Sequence, residues 1–295
     1  MSKRSIPDSG KSRQLLADAV TALRRQQPQE AERLASVVLH ADPDDVAAAG
    51  VLGRALLIQN RAAEAMMPLE RAEQRTADPE IETLLALALS ATGQAEQALD
   101  RLRMAATRRP VYPPAYLEQA GLLARKGRFE EAVAVLESGL ALAPGSIEMR
   151  MELGFVHLKR NDRKSARAMM RQALDAAPGR PDILAALARM MAMDSEYAEA
   201  ADCFRRVLEQ WPEDAFSRNN LGACLLEMGR REEAEAHLRA AVRSAPQAAG
   251  THRPQAAAQA YRARVLAQMV NNSDEERDTV REQLSGACTT EIAAF

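Results

Sequence analysis

The stretch RKGRFEEAVAVLESGLALAP, Arg125–Pro144, carries the reading of the whole chain. Gly127 is followed by an aromatic at Phe129, a small residue at Ala132, a large apolar one at Leu136 and a closing Pro144. The phrase returns as LEMGRREEAEAHLRAAVRSAP, Leu226–Pro246, with Gly229, Ala234, Leu238 and Pro246 in the same places. Lining up the closing prolines gives Pro110, Pro144, Pro178, Pro212 and Pro246, spaced by 34 residues each time. Pro43 lies 67 residues before Pro110, and Ala77 stands where the missing proline would fall. One repeat has lost a residue.

The same ruler draws four further columns. One is alanine throughout: Ala31, Ala65, Ala98, Ala132, Ala166, Ala200 and Ala234. A second is always small: Ala19, Gly53, Ala86, Ala120, Gly154, Ala188 and Gly222. A third is large and apolar, Leu69, Leu102, Leu136, Met170, Phe204 and Leu238, with Ala35 as the exception. The fourth reads Gln26, Asn60, Gly93, Gly127, Asn161, Ser195 and Gly229, residues suited to a left-handed turn that ends a helix. Two small columns, one on each helix of a hairpin, let the backbones approach; the large column fills the space beside the crossing. The proline follows the second helix and stops it.

Composition agrees. Of 295 residues 59 are alanine, the strongest helix former, and only 3% are aromatic. These columns resemble the tetratricopeptide repeat, a 34-residue helix–turn–helix unit. The resemblance implies an all-α fold, a right-handed α-solenoid superhelix of seven hairpins. The expected units are 12–45, 46–78, 79–112, 113–146, 147–180, 181–214 and 215–248. Residues 1–11 and 286–295 are expected to be disordered, and 249–285 to form degenerate capping helices. The family's aromatic at the fourth position of each unit survives only as Tyr116.

Sequence chemistry for catalysis is sparse. SGKS at Ser9–Ser12 lacks the earlier glycine and the preceding strand of a phosphate loop. His40, His157, His237 and His252 are far apart and form no metal-ligand spacing, and there is no CxxC among Cys203, Cys224 and Cys288. His157 occupies a column otherwise held by Leu56, Leu89, Leu123, Met191 and Leu225, so it is read as a packing histidine. No enzyme, cofactor or metal is expected. The net charge of −2 argues against nucleic-acid binding. No run approaches a membrane span, and the polar N-terminus MSKRSIPDSGKS shows no secretory signal, so a cytoplasmic protein without membrane contact is expected.

The resemblance also implies that the second, fifth, sixth, ninth, twelfth and thirteenth positions of each unit face a concave groove. Those positions supply Leu16, Val20, Leu57, Leu84 and Leu87, then Glu118, Met151, Phe155 and Leu158, then Arg189, Met193, Asn219 and Asn220, with Arg253 beyond. The basic and asparagine set by which some members clamp a C-terminal carboxylate is missing. The expectation is a non-enzymatic scaffold, chaperone or adaptor that binds another protein or a peptide segment. Arg189, Asn219, Asn220 and Arg253 form a candidate polar anchor. Two alternatives stand beside this: a regulatory subunit serving a transferase-type enzyme, and homo-oligomerisation into a self-assembled structure.

Overall fold

A computed structural model describes residues 9–248. The expectations for residues 1–8, 249–285 and 286–295, and for His252, Arg253 and Cys288, lie outside the described residues. Those described form helices and turns with no strand. In chain order the helices are α1 (Ser9–Arg24), α2 (Pro28–Ala41), α3 (Val46–Ile58), α4 (Ala62–Glu73), α5 (Pro79–Ala91), α6 (Ala95–Thr107) and α7 (Pro113–Arg125). There follow α8 (Phe129–Leu142), α9 (Ile147–Lys159), α10 (Arg163–Ala176), α11 (Pro181–Met193), α12 (Tyr197–Gln210), α13 (Ala215–Glu227) and α14 (Arg231–Ala248). The fold class is the all-α solenoid of paired helices. The first helix covers Ser9–Arg24, so SGKS lies within it.

Each first helix ends by one device. Gln26, Asn60, Gly93, Gly127, Asn161, Ser195 and Gly229 all have positive φ, between 58° and 84°. The next residue donates its N–H to the carbonyl five residues earlier: Gln27 to Ala22, Arg61 to Leu56, Gln94 to Leu89, Arg128 to Leu123, Asp162 to His157, Glu196 to Met191 and Arg230 to Leu225, at 2.8–2.9 Å. This is a Schellman closure, which satisfies end-of-helix carbonyls and reverses the chain. Helix starts are equally legible. Asp45, Asp78, Asp162 and Asp214 each accept a hydrogen bond from the first turn of the helix that follows. Pro28, Pro79, Pro113 and Pro181 each fill a first helical position, where no N–H is needed.

The columns meet as packing. All seven alanines from Ala31 to Ala234 are fully buried, as are Leu69, Leu136, Met170, Phe204 and Leu238. Gly53 presents bare backbone to Leu69, and Gly154 faces Met170 and the carbonyl of Ala166. Phe204 sits among Ala188, Ala200, Ala201, Leu221, Cys224, Leu225 and Ala234. Burying such a side chain contributes about 1.5–3 kcal/mol.

Pro43, Pro144, Pro178 and Pro212 each lie two residues past the end of a second helix. Pro246 departs from this: α14 runs through it to Ala248. Having no N–H, Pro246 leaves the carbonyl of Val242 without its usual helical donor.

The chain divides between Glu152 and Leu153, inside α9, into two compact units. In the N-terminal unit each helix from α1 to α7 packs on the next and α7 on α8; the first helices also pack in series, α1 on α3, α3 on α5 and α5 on α7. In the C-terminal unit α10 to α14 pack consecutively, and α11 also meets α13.

Candidate partner-binding faces

In the N-terminal unit the first helices lie side by side, each keeping one stripe at least partly open except at Leu84. On α7 the stripe is Pro114, Glu118, Gly121 and Arg125, at successive separations of four, three and four residues, which a helix places on one face. The matching stripe on α5 is Glu80, Leu84, Leu87 and Ala91; on α3 it is Ala47, Val51, Arg54 and Ile58. Arg54 reaches Glu80 at 2.5 Å, tying α3 to α5. Leu16, Val20, Leu57 and Leu87 are half-buried, Met151 likewise, and Leu84 is buried. These positions form a largely apolar surface.

Glu118 interrupts it. The carboxylate is half-buried and makes no hydrogen bond or ion pair among the described residues. Burial pushes its carboxyl above the ordinary carboxylate range, with Arg125 pulling partly back.

In the C-terminal unit Phe155, Leu158, Arg189 and Met193 are half-buried. Asn219 and Asn220 are 2% and 8% exposed. The Asn220 amide donates to the carbonyl of Phe216 at 2.8 Å, one turn back. Asn219 Oδ1 and Ser217 Oγ are buried with no hydrogen-bond partner among the described residues. The polar anchor expected of Arg189, Asn219, Asn220 and Arg253 is therefore not laid out on open surface: α13 turns both asparagines inward, and Arg253 lies outside the described residues.

Sequence reasoning missed the polar work done at the fourth position. Tyr116 donates its hydroxyl to the carbonyl of Ala106 at 2.7 Å, across the junction between hairpins. Where the aromatic is absent, Arg150 donates to the carbonyl of Pro144 and Arg218 to that of Pro212. Glu82, 1% exposed, pairs with Arg108 at 2.6 Å. It borders a recess between α4, α5 and α6 that also contains Glu73, paired with Arg101 at 3.0 Å and pushed upward in pKa by burial. The signal was available: a column reading Glu82, Tyr116, Arg150 and Arg218 at one junction position. A second omission is a set of links from one hairpin's second helix to the next hairpin's turn. Glu32 meets Arg61 at 2.7 Å, Glu96 meets Lys126 at 2.9 Å, and Arg167 meets Glu196 at 2.7 Å.

Comparison with known families decides the identity of this architecture. A tetratricopeptide repeat model matches residues 16–80, 83–147 and 194–249, more than half of the chain. The chain belongs to the tetratricopeptide repeat family. A second tetratricopeptide repeat model matches residues 123–190. Among solved structures, a tetratricopeptide repeat protein from Parabacteroides merdae ATCC 43184 is similar with TM-score 0.62 and 15% identity, over 86% of this chain and 99% of that one. The human IFIT1 dimer with m7Gppp-AAAA gives 0.58 and 16%, over 95% and 72%. The APC/C hetero-tetramer Cut9-Hcn1 gives 0.59 and 17%, over 86% of this chain but 52% of that one, so this chain spans about half its length. At these identities the likeness concerns the fold.

Within this tetratricopeptide repeat chain the remaining candidates take structural places. His157 is half-buried, its Nδ1 3.4 Å from Asp162 Oδ2 without a hydrogen bond, and its carbonyl accepts the Asp162 N–H of the Schellman closure. Cys203 and Cys224 share one apolar cluster without a disulfide, and burial pushes the Cys203 thiol upward in pKa. Among the described residues no three His, Cys, Asp or Glu side chains stand together as a metal site, and no helix is long and apolar enough to cross a membrane.

Proposed function

We propose that this protein is a non-enzymatic interaction scaffold or adaptor that binds a segment of another protein on the open face of its first helices. The observation that carries the reading is the row formed by α3 and α5: Val51, Leu57 and Leu87 stay partly open on neighbouring helices that the fold holds side by side. Stacked hairpins provide a long surface without requiring a large central core. Apolar side chains left partly open in series are the usual material of a recognition groove. In the C-terminal unit Phe155 and Met193 offer similar material, the methionine adding adaptability.

The test is capture of co-purifying proteins by the wild-type chain, by Leu87→Asp and, separately, by Phe155→Ala. The proposal expects loss of capture with helicity retained in far-UV circular dichroism. Unchanged capture by both variants contradicts it.

A further inference from the structure

We propose that Glu118 is the specificity residue of the N-terminal unit's open face, and that it selects a partner segment presenting a lysine or arginine between apolar side chains. This rests on the binding reading above and names the chemistry that the face prefers.

Glu80 is paired with Arg54, Glu82 with Arg108, Glu73 with Arg101 and Glu32 with Arg61. Asp45 and Asp78 cap helices. Glu118 is half-buried like several of these, yet among the described residues it closes no ion pair and accepts no hydrogen bond, and Arg125 only pulls on it from two turns away. A carboxylate losing hydration without compensation costs free energy, and a cation brought to it recovers that cost.

The nearest charge on the same stripe is Arg125, two turns along α7. Its guanidinium folds back over Gly121, with Nη1 3.5 Å from where a Cβ would stand, and does not close an ion pair with Glu118. Without a Cβ at Gly121, the strip of α7 between acid and base is covered only by that flexible guanidinium. One helix over, Leu84 and Leu87 occupy the corresponding positions, one buried and one half-buried. A segment laid across α5 and α7 would set apolar side chains against Leu84 and Leu87 and a long cationic side chain beside Glu118, taking the place of the Arg125 guanidinium. Lys and Arg suit this role because their methylene stems pack on apolar surface while the head reaches the charge. A charge-assisted hydrogen bond there discriminates strongly against a neutral side chain.

The experiment is selection of a random 12-residue display library on the full immobilised chain, in parallel on Glu118→Gln, Glu118→Lys and Glu118→Asp, each checked for helicity. The wild-type chain should enrich sequences with Lys or Arg flanked by apolar residues. A synthetic peptide of the winning sequence should bind Glu118→Gln about tenfold more weakly. Glu118→Asp should keep part of the affinity, and Glu118→Lys should turn the selection toward Asp and Glu. Enriched peptides without a basic residue, or ones that bind Glu118→Gln as well as wild type, overturn this inference alone. Failure to enrich any sequence on the wild-type chain overturns the binding reading beneath it.

Discussion

Gly222 presents bare helix backbone to Leu238: a Cβ added at Gly222 would stand 2.6 Å from the leucine Cγ and 3.3 Å from the carbonyl of Ala234. The smallest column, the alanine column and the large column therefore meet at one crossing. Gly222→Ala should destabilise the protein by about 1–3 kcal/mol through overpacking, outweighing the roughly 1 kcal/mol that alanine gains in a helix. Gly121→Ala is the control, because its new Cβ meets only the Arg125 guanidinium at an ordinary 3.5 Å. That variant should be neutral or stabilising by up to about 1 kcal/mol in urea unfolding.

The turns allow a prediction of opposite sign at two equivalent positions. Ser195 holds φ 64° and Gly127 holds φ 75°. Ser195→Gly should stabilise, because left-handed backbone costs an L-residue about 1–2 kcal/mol, offset in part by glycine's larger unfolded-state entropy. Gly127→Ala should destabilise by about 1 kcal/mol. Thermal melts of the two variants read both signs.

Glu82 and Arg108 test whether the junction depends on the pair or on its volume. Arg108→Ala leaves a carboxylate that is 1% exposed without its partner and should lower the denaturant midpoint. Replacing both, Glu82→Leu with Arg108→Met, should recover most of that loss. Denaturant midpoints of Glu82→Leu, Arg108→Met and the double variant give the coupling.

Acidification should weaken the C-terminal unit through His237. Its imidazole is pushed below the ordinary 6.5 by burial first, then by Arg205 and Arg218. The unfolded chain binds that proton more readily, so the contribution is full above about pH 6.5 and is lost as pH falls through the lower folded value. His237→Gln should flatten the stability–pH curve between roughly pH 7 and 5. An unchanged slope would assign the pH dependence to other groups.

The hairpins were legible because their determinants repeat. A left-handed turn admits few residue types, so Gly93, Gly127 and Gly229 spell it out; a close crossing admits only small ones, so Ala31 through Ala234 form an unbroken column. Polar positions were harder to read. The fourth position does its work with whichever group reaches the neighbouring hairpin, whether a tyrosine hydroxyl, an arginine or an acid, so no single residue type marks it. Asn219 and Asn220 look like surface recognition residues in sequence and are buried, because one helical turn decides which way a side chain faces. The solitude of Glu118 is a statement about missing partners, which only coordinates supply.

Site-specific photocrosslinking in cells tests the central claim most directly. A benzophenone side chain placed at Leu87 sits on the open face of the first helices; one at Met67, 68% exposed on α4, reports on a second helix. The account predicts a discrete partner adduct from position 87 and none from position 67. Adducts from position 67 alone, or the same adducts from both, would contradict it.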